Sequence, residues 1–245
     1  MTLAADRLVV ALDTDTLEAA ETLVKKLAGT VGWFKVGKEL FTLSGPEGVR
    51  RIRAAGARKI FLDLKYHDIP TTVRRAVKAA VLVGADMVNV HALGGTGMMT
   101  EAVKGRDEAV AQGANRCLLV AVTTLTSMTQ QELMELGIDA TPRMLAVHLA
   151  RMAARCGLDG AVSSPQEAAD IKGICGDRFV TVTPGVRPAW AAKNDQARVM
   201  TPGEALAKGC DYLVVGRPIT ASKDPAAAAQ KILAEMASPA SATQK

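Results

Sequence analysis

The chain has 245 residues, of which 49% are hydrophobic and 22% are charged. This balance excludes an intrinsically disordered chain, and the length is sufficient for one large domain with a sizeable core. Lys and Arg number 30 against 25 Asp and Glu, and aromatic residues make up only 3%. The small positive charge favours anionic partners, whereas the scarcity of aromatic rings argues against a protein that binds nucleic acid by stacking.

The N-terminal sequence MTLAADRLVVALD has Asp6 and Arg7 ahead of a short apolar run that ends at Asp13. Such a run is too short and too interrupted for a secretory signal peptide. The sequence also contains no run of about 18 apolar residues, the length needed to span a membrane. The cysteines, at positions 117, 156, 175 and 210, have no metal-ligand spacing. We therefore expect free thiols, a cytoplasmic location and no membrane partner.

Eight short apolar runs, rich in β-branched residues, predict eight strands at 8–13, 33–37, 59–65, 86–92, 117–124, 160–164, 179–185 and 212–216. Segments with helical spacing of apolar residues lie between them, including LEAAETLVKKLAG, PEGVRRIRAAG and TTVRRAVKAAVLVG after the first three strands. These three helices are expected to end in left-handed glycines, at Gly29, Gly56 and Gly84.

Strands that alternate with helices predict a parallel sheet covered by helices. Eight such units favour an α/β fold, a (β/α)8 TIM barrel, as a single domain over residues 1–245. The alternative is an open doubly wound sheet, but its dinucleotide fingerprint is missing after the first strand. The long polar loop at about 188–202 is interpreted as a mobile lid, and residues 237–245 as a disordered tail.

Ionisable residues mark the ends of the first three predicted strands. Asp13 ends the first strand, Lys35 lies in the second, and Asp63 and Lys65 end the third, with Asp68 close behind. Side chains alternate along a strand, so Asp63 and Lys65 are expected to point the same way. A solvated salt-bridge cluster is the alternative, but neighbouring groups of alternating sign at one end of a barrel are typical of a functional site.

The last two predicted strands each run into a glycine followed closely by an arginine. The seventh leads into TPGVRP (183–188) and the eighth into VVGRPIT (214–220). In barrels that act on phosphate esters, these two loops form the anion site, where glycine exposes backbone N–H groups and arginine adds a charge-assisted contact. Arg187 and Arg217 are therefore candidate phosphate ligands, and the lid could contribute Gln196.

These motifs resemble those of the orotidine 5′-phosphate decarboxylase family over nearly the whole chain. They are ALD, FKVG, FLDLKYHDIPTT at 61–72, NVHALGG, LTSM, VTPGVRP, DQARVMTP and VVGRPIT, in the family's order. The resemblance implies decarboxylation of orotidine 5′-phosphate to UMP, without metal or cofactor. Tyr66 stands where the family commonly has Phe.

The resemblance also implies a role for each matching residue. Lys65 would protonate C6 of the substrate, and Asp63 would lie beside the substrate carboxylate. Lys35, also counted among the catalytic residues, and Asp13 would contact the ribose and hold the charge array. Asp68, counted among the catalytic residues, would reach the site of the neighbouring subunit with Ile69 and Thr72, which implies a homodimer. The remaining substrate-binding candidates are Leu64, Tyr66, His67, Pro70, Thr71, Thr126, Ser127, Arg187, Gln196, Gly216 and Arg217.

Three other functions fit parts of the sequence. The metal-dependent branch of the superfamily, such as hexulose 6-phosphate synthase, resembles this chain but has a magnesium-binding glutamate on strand two, where this chain has Lys35. A phosphate-sensing barrel would have no need of Asp63, Lys65 and Asp68. Arginine clusters that could suggest nucleic-acid binding lie on helices with apolar partners, and solvated outer faces explain them. His67, His91 and His148 suggest no metal site, and a structural role is favoured for His91.

Overall fold

The computed structural model describes residues 4–190 and 200–237. Within these ranges eight strands occur, namely Leu8–Ala11 (β1), Trp33–Gly37 (β2), Lys59–Tyr66 (β3), Met87–His91 (β4), Leu118–Val122 (β5), Gly160–Val162 (β6), Val180–Thr183 (β7) and Tyr212–Val215 (β8). Each strand pairs in parallel with the next, and β8 pairs with β1. The sheet is thus a closed barrel, as the sequence predicts, and the open-sheet alternative is excluded.

Helices connect the strands on the outside of this barrel. They are Leu17–Leu27 (α1), Lys38–Ala54 (α2), Pro70–Leu82 (α3), Gly95–Ala111 (α4), Gln130–Glu135 (α5), Pro142–Arg155 (α6), Ala168–Cys175 (α7), Pro202–Ala207 (α8), Arg217–Thr220 (α9) and Pro225–Ala237 (α10). Threonine side chains cap α1, α5, α6 and α8 by accepting from a backbone N–H of the first turn. As predicted, left-handed glycines follow α1, α2 and α3, at Gly29, Gly56 and Gly84.

Helix α2 differs from the prediction. The sequence pattern places a helix from Pro46 onward, but the structure continues the helix back to Lys38, with a break at Gly45 where φ is 56°. Proline lacks the N–H that an uninterrupted helix needs, and glycine accepts the left-handed conformation that re-aims the chain. The break therefore joins two helical segments in one connection between β2 and β3.

The apolar core has two layers. Alternate residues of the strands fill the barrel interior, whereas the intervening residues pack against the helices. The interior layer consists of Val9, Ala11, Trp33, Phe61, Met87, Val120, Val182 and Val214. Outside the barrel, α3 and α4 pack closely because Gly105 has no side chain. A Cβ atom at this position would lie only 2.2 Å from the carbonyl oxygen of Arg74. The interior of the barrel is therefore filled by apolar side chains.

Aspartates stabilise the N-terminal end of the barrel. Asp86, Asp159 and Asp211 precede β4, β6 and β8, and each accepts a hydrogen bond from a backbone N–H of the preceding strand. The donors are Ile60, Leu119 and Thr181, at 2.8 to 2.9 Å. Basic side chains pair with all three carboxylates. These carboxylates are therefore committed to joining neighbouring strands, and the N-terminal end is a structural end of the barrel.

The first and last described elements of the chain are neighbours. The 3₁₀ helix Ala4–Arg7 packs against α10, and α10 also packs against α1. The prediction of a single domain with a tail at 237–245 extends beyond the described residues. Among the described residues, no helix is long and apolar enough to cross a membrane.

Candidate active site

A cavity of about 330 Å³ opens at the C-terminal end of the barrel. It lies where the strands β1, β2, β3, β7 and β8 lead into their loops. Its lining brings together eight of the residues predicted from the sequence, namely Asp13, Lys35, Asp63, Lys65, Thr126, Arg187, Gly216 and Arg217. Charged groups of both signs therefore share one concave space, which is typical of a catalytic pocket.

Four of these side chains form a chain of alternating charge, which we call the charged array: Asp13, Lys35, Asp63 and Lys65. The Lys35 Nζ atom lies 3.1 Å from Asp13 Oδ1 and 3.5 Å from Asp63 Oδ2. Lys65 Nζ donates to Asp63 Oδ1 at 2.7 Å. Gly37 lies beside the array, where a Cβ atom would come within 3.2 Å of Lys35 Nζ. Lys35 and Asp63 are largely buried, whereas 61% of the Asp13 side chain is exposed. The inner part of the array therefore differs from a solvated surface pair.

Asp63 is the most enclosed carboxylate of the array, with 9% of its surface exposed. Burial raises the pKa of this carboxyl group, but the charges of Lys35 and Lys65 and the hydrogen bonds from Lys65 and Asn89 outweigh it. The net effect lowers the pKa of Asp63 below its ordinary value of 3.8. Asp63 is therefore an anion at neutral pH despite its burial.

Lys65 reaches the cavity by an irregular backbone. The ladder between β3 and β4 pairs Leu62 with Val88 and next pairs Tyr66 with Val90, so that three residues of β3 lie opposite one residue of β4. Within this bulge Lys65 has φ 54°, and it is the only non-glycine residue in the described ranges with a positive φ. This conformation costs a residue with a Cβ atom about 1–2 kcal/mol. Asp63 and Lys65 do share the cavity, but regular strand alternation is not the cause.

Asn89 of β4 is a site residue that the motifs did not identify. It is the single residue opposite the bulge, and its side chain is completely buried. Its Nδ2 atom donates to Asp63 Oδ1 at 2.6 Å, and its Oδ1 atom accepts from the backbone N–H of Lys65 at 2.7 Å. A signal for it existed in the sequence, because strand alternation places Asn89 on the same inward face as Met87. A polar side chain in that position needs hydrogen-bond partners.

The opposite side of the cavity is formed by the loops after β7 and β8. Arg187 and Arg217 line it together with Gly185 and Gly216, and Arg187 is largely buried. The backbone N–H of Arg187 donates to the Met200 carbonyl at 3.0 Å. This bond joins the two ends of the predicted lid loop. Two arginines in a partly enclosed space are suited to bind a phosphate group.

Several predicted residues do not line the cavity. Leu64 and Tyr66 are half-buried in the bulge, and Ser127 lies next to the lining residue Thr126. The segment after β3 faces solvent in this single chain, and it comprises His67, Asp68, Ile69, Pro70, Thr71 and Thr72. Gln196, with residues 191–199 of the predicted lid, lies outside the described residues.

Two of the histidines interact with each other. The rings of His67 and His91 are stacked with centroids 5.4 Å apart. Burial, with the charges of His67, Lys38 and Lys65, lowers the pKa of His91 from 6.5 to about 4. His91 Nδ1 accepts from the backbone N–H of Leu93, as expected for a structural role. In the described part of the chain, no group of three or more His, Cys, Asp or Glu side chains is arranged to hold a metal ion.

Comparisons with known proteins identify the family of this chain independently of the site geometry. Residues 6–232 match the model of the orotidine 5′-phosphate decarboxylase / HUMPS family. Proteins called orotidine 5′-phosphate decarboxylase from Syntrophotalea carbinolica and Halorhodospira halophila are 51% and 53% identical, and the alignments cover 94% of this chain and 95% and 96% of theirs. The crystal structure of orotidine 5′-phosphate decarboxylase from Lactobacillus acidophilus superposes with a TM-score of 0.84 at 38% identity. That match covers 95% of this chain and 100% of the other.

Proposed function

Because this chain belongs to the orotidine 5′-phosphate decarboxylase / HUMPS family and is a decarboxylase of pyrimidine biosynthesis, we propose that it forms UMP from orotidine 5′-phosphate without metal or cofactor, with Lys65 as proton donor. The observation that carries this mechanism is the charged array at the mouth of the barrel. An ammonium group, held 2.7 Å from a buried carboxylate, supplies both a fixed positive charge and a proton.

In the proposed step the bond between C6 of the pyrimidine and its carboxylate breaks. Carbon dioxide leaves, and the electron pair of the broken bond stays on C6. The Lys65 ammonium stabilises this carbanion and then transfers a proton to C6, which gives UMP and a neutral amine that solvent reprotonates. A charge that is already in position costs no reorganisation during the reaction, which makes it an effective stabiliser.

Asp63 acts on the ground state in this mechanism. Its carboxylate lies beside that of the substrate, and the repulsion between them is relieved as carbon dioxide leaves. Binding energy from the phosphate group offsets this repulsion. Lys35 keeps Asp63 ionised and, with Asp13, contacts the ribose. The low pKa of Asp63 supports this role, because the carboxylate is charged at neutral pH.

The rest of the substrate occupies the remaining cavity. Arg187, Arg217 and the backbone at Gly216 bind the 5′-phosphate, with Gln196 from the loop. Thr126 and Ser127 contact the pyrimidine. The motif residues Leu64, Tyr66, His67, Pro70 and Thr71 complete the proposed substrate-binding set.

Lys35 supports a metal-independent reaction. The metal-dependent relatives have a glutamate at this place on strand two, whereas an ammonium group here repels Mg²⁺.

An ultraviolet assay of orotidine 5′-phosphate in EDTA tests the proposal. We expect full activity in EDTA and nearly complete loss in Lys65→Ala. Lys59→Ala is the matched control, because Lys59 lies at the other end of the same strand and pairs with Asp86. Sustained dependence on Mg²⁺, or an active Lys65→Ala enzyme, would refute the mechanism.

The exposed segment after β3 supports a homodimer with shared sites. Ile69, an apolar residue of this segment, has 67% of its surface exposed in the single chain. In the proposed dimer, Asp68 of the partner subunit enters the active site with Ile69 and Thr72 of the partner subunit. We expect a mixture of inactive Lys65→Ala and inactive Asp68→Ala to regain activity, because hybrid dimers contain one intact site. Verified subunit exchange without recovery would contradict shared sites.

The cysteines support a cytoplasmic location. All four are free, and Cys117 and Cys210 are buried. Free buried thiols suit a reducing compartment, where disulfides are rare.

A further inference from the structure

We propose that Asn89 is a positioning residue for decarboxylation, which fixes the backbone of Lys65 with one end of its amide and the carboxylate of Asp63 with the other. This inference rests on the proposed function, because it concerns the alignment of the same two groups. Asn89 is not among the residues that line the cavity, so it acts through Lys65 and Asp63.

Both contacts are short, and Asn89 itself is completely buried. Asn89 Oδ1 accepts from the Lys65 N–H at 2.7 Å, and Asn89 Nδ2 donates to Asp63 Oδ1 at 2.6 Å. The same oxygen of Asp63 accepts from Lys65 Nζ at 2.7 Å. Asn89, Lys65 and Asp63 thus form a closed ring of three interactions, in which Lys65 takes part through both its backbone and its side chain. A change in any one of these residues alters the geometry of the other two.

The bulge explains why such support is needed. Asp63, Leu64 and Lys65 lie opposite Asn89 alone, so regular strand pairing cannot hold them. Without a ladder partner, the N–H of Lys65 needs another acceptor, because unpaired buried backbone groups are costly. The side chain of Asn89 replaces the missing ladder bond. It also stabilises the left-handed conformation that aims the ammonium group at Asp63.

Asparagine fits both contacts because its amide has an acceptor and a donor on one short side chain. Aspartate could accept from the Lys65 N–H, but its second oxygen would face the carboxylate of Asp63. Alanine offers neither group. The chemistry of the site therefore selects an amide at position 89.

Two variants separate the two contacts. Asn89→Ala removes both, and we expect kcat to fall about 100-fold, as is typical of a misplaced reacting group. KM should stay within about threefold, because the phosphate contacts are on the opposite loops. Asn89→Asp keeps the acceptor for Lys65 but puts a second anion beside Asp63. Thr181→Val is the control, since it removes a buried hydrogen-bonding hydroxyl at the N-terminal end of the barrel.

The pH profile of kcat distinguishes positioning from a general loss of folding. The groups facing Asp63 are Lys35 from β2, Lys65 from β3 and Asn89 from β4, and Asp13, which follows β1, faces Lys35 from the other side. Loss of the Asn89 donor raises the pKa of Asp63, so the acid limb should move to higher pH in both variants. It should move further in Asn89→Asp. Thr181→Val should keep the limb of the wild type.

Hydrogen exchange of the Lys65 amide gives a readout that does not depend on activity. We expect this amide to be protected in the wild type and in Asn89→Asp, and to exchange at least tenfold faster in Asn89→Ala. Wild-type kcat and unchanged protection in Asn89→Ala would overturn the inference and leave the proposed function intact. A wild-type protein without decarboxylase activity would overturn the proposed function, whereas exchange would still test the contact. If Asn89→Ala does not fold, an unshifted acid limb in Asn89→Asp overturns the inference.

Discussion

Because the backbone of Lys65 is left-handed, we expect glycine to stabilise the fold more than alanine does at this position. Lys65→Gly and Lys65→Ala both remove the amine and its ion pair, so their difference in stability reports on the backbone. At φ 54° a Cβ atom costs about 1–2 kcal/mol. Glycine in turn lowers the free energy of unfolding by about 0.4–1 kcal/mol relative to alanine, because it makes the unfolded chain more flexible. We therefore expect Lys65→Gly to be more stable than Lys65→Ala by about 0.5–1 kcal/mol.

Urea unfolding of the two variants measures this difference. For a chain of this length it corresponds to a shift in Tm of about 2 °C. The matched control is the pair Thr22→Ala and Thr22→Gly, at an exposed position in the middle of α1. There glycine should be the less stable by about 1 kcal/mol. The two positions should thus differ in the sign of the effect.

The same sign at both positions would refute the reasoning. If Lys65→Gly were less stable than Lys65→Ala by the margin found at Thr22, the backbone at Lys65 would be an ordinary strand. Neither Lys65 variant should decarboxylate the substrate, since neither has an amine.

Three further predictions concern phosphate binding, pH and packing. Arg187→Ala should weaken UMP binding about 10- to 100-fold, which corresponds to the loss of a charge-assisted hydrogen bond. Calorimetry should show nearly unchanged binding of uridine, which has no phosphate. An equal loss of affinity for both ligands would contradict a phosphate contact. The pKa of His91 is lowered to about 4, so the unfolded chain takes up its proton first and stability falls as the pH drops from about 6.5 towards 4. Urea unfolding of His91→Asn should show a smaller fall, and an equal pH slope would contradict this cause. Gly105→Ala should lower stability by about 1–3 kcal/mol, because its Cβ would lie 2.2 Å from the Arg74 carbonyl, whereas Gly97→Ala on the same helix, with 4.0 Å of space, should not lower Tm.

The sequence predicts the barrel well because its strands carry a strong local signal. Runs of β-branched residues set the eight strands to within a few residues, and the glycines after α1 to α3 mark helix ends. The break in α2 was missed, since helical spacing resumes only after Pro46. The turn at Gly45 links two segments whose joint path depends on packing against β2 and β3.

The active site was predicted less completely, for a physical reason. Charged residues at strand ends identify the array, but the bulge at Lys65 leaves no mark in residue types. Lysine rarely adopts a left-handed backbone, and its local preference would predict regular strand. A tertiary contact accompanies this conformation, namely the hydrogen bond from the Lys65 N–H to Asn89 Oδ1. Strand alternation thus predicts correctly that Lys65 faces the cavity, but it predicts a regular strand where the backbone forms a bulge.

The contact between the first 3₁₀ helix and α10 has a consequence for how this chain can be rearranged. The first and last described elements are neighbours, and the strands form a closed barrel in which β8 pairs with β1. The same strand pairing can therefore form from a chain that starts at a different strand. A linker across this junction, with new termini in the exposed turn at 112–113 between α4 and β5, gives a circular permutant. Strands β1 to β4, which carry the charged array and Asn89, stay covalently continuous in it. The permutant should therefore fold to the same barrel and keep its catalytic end.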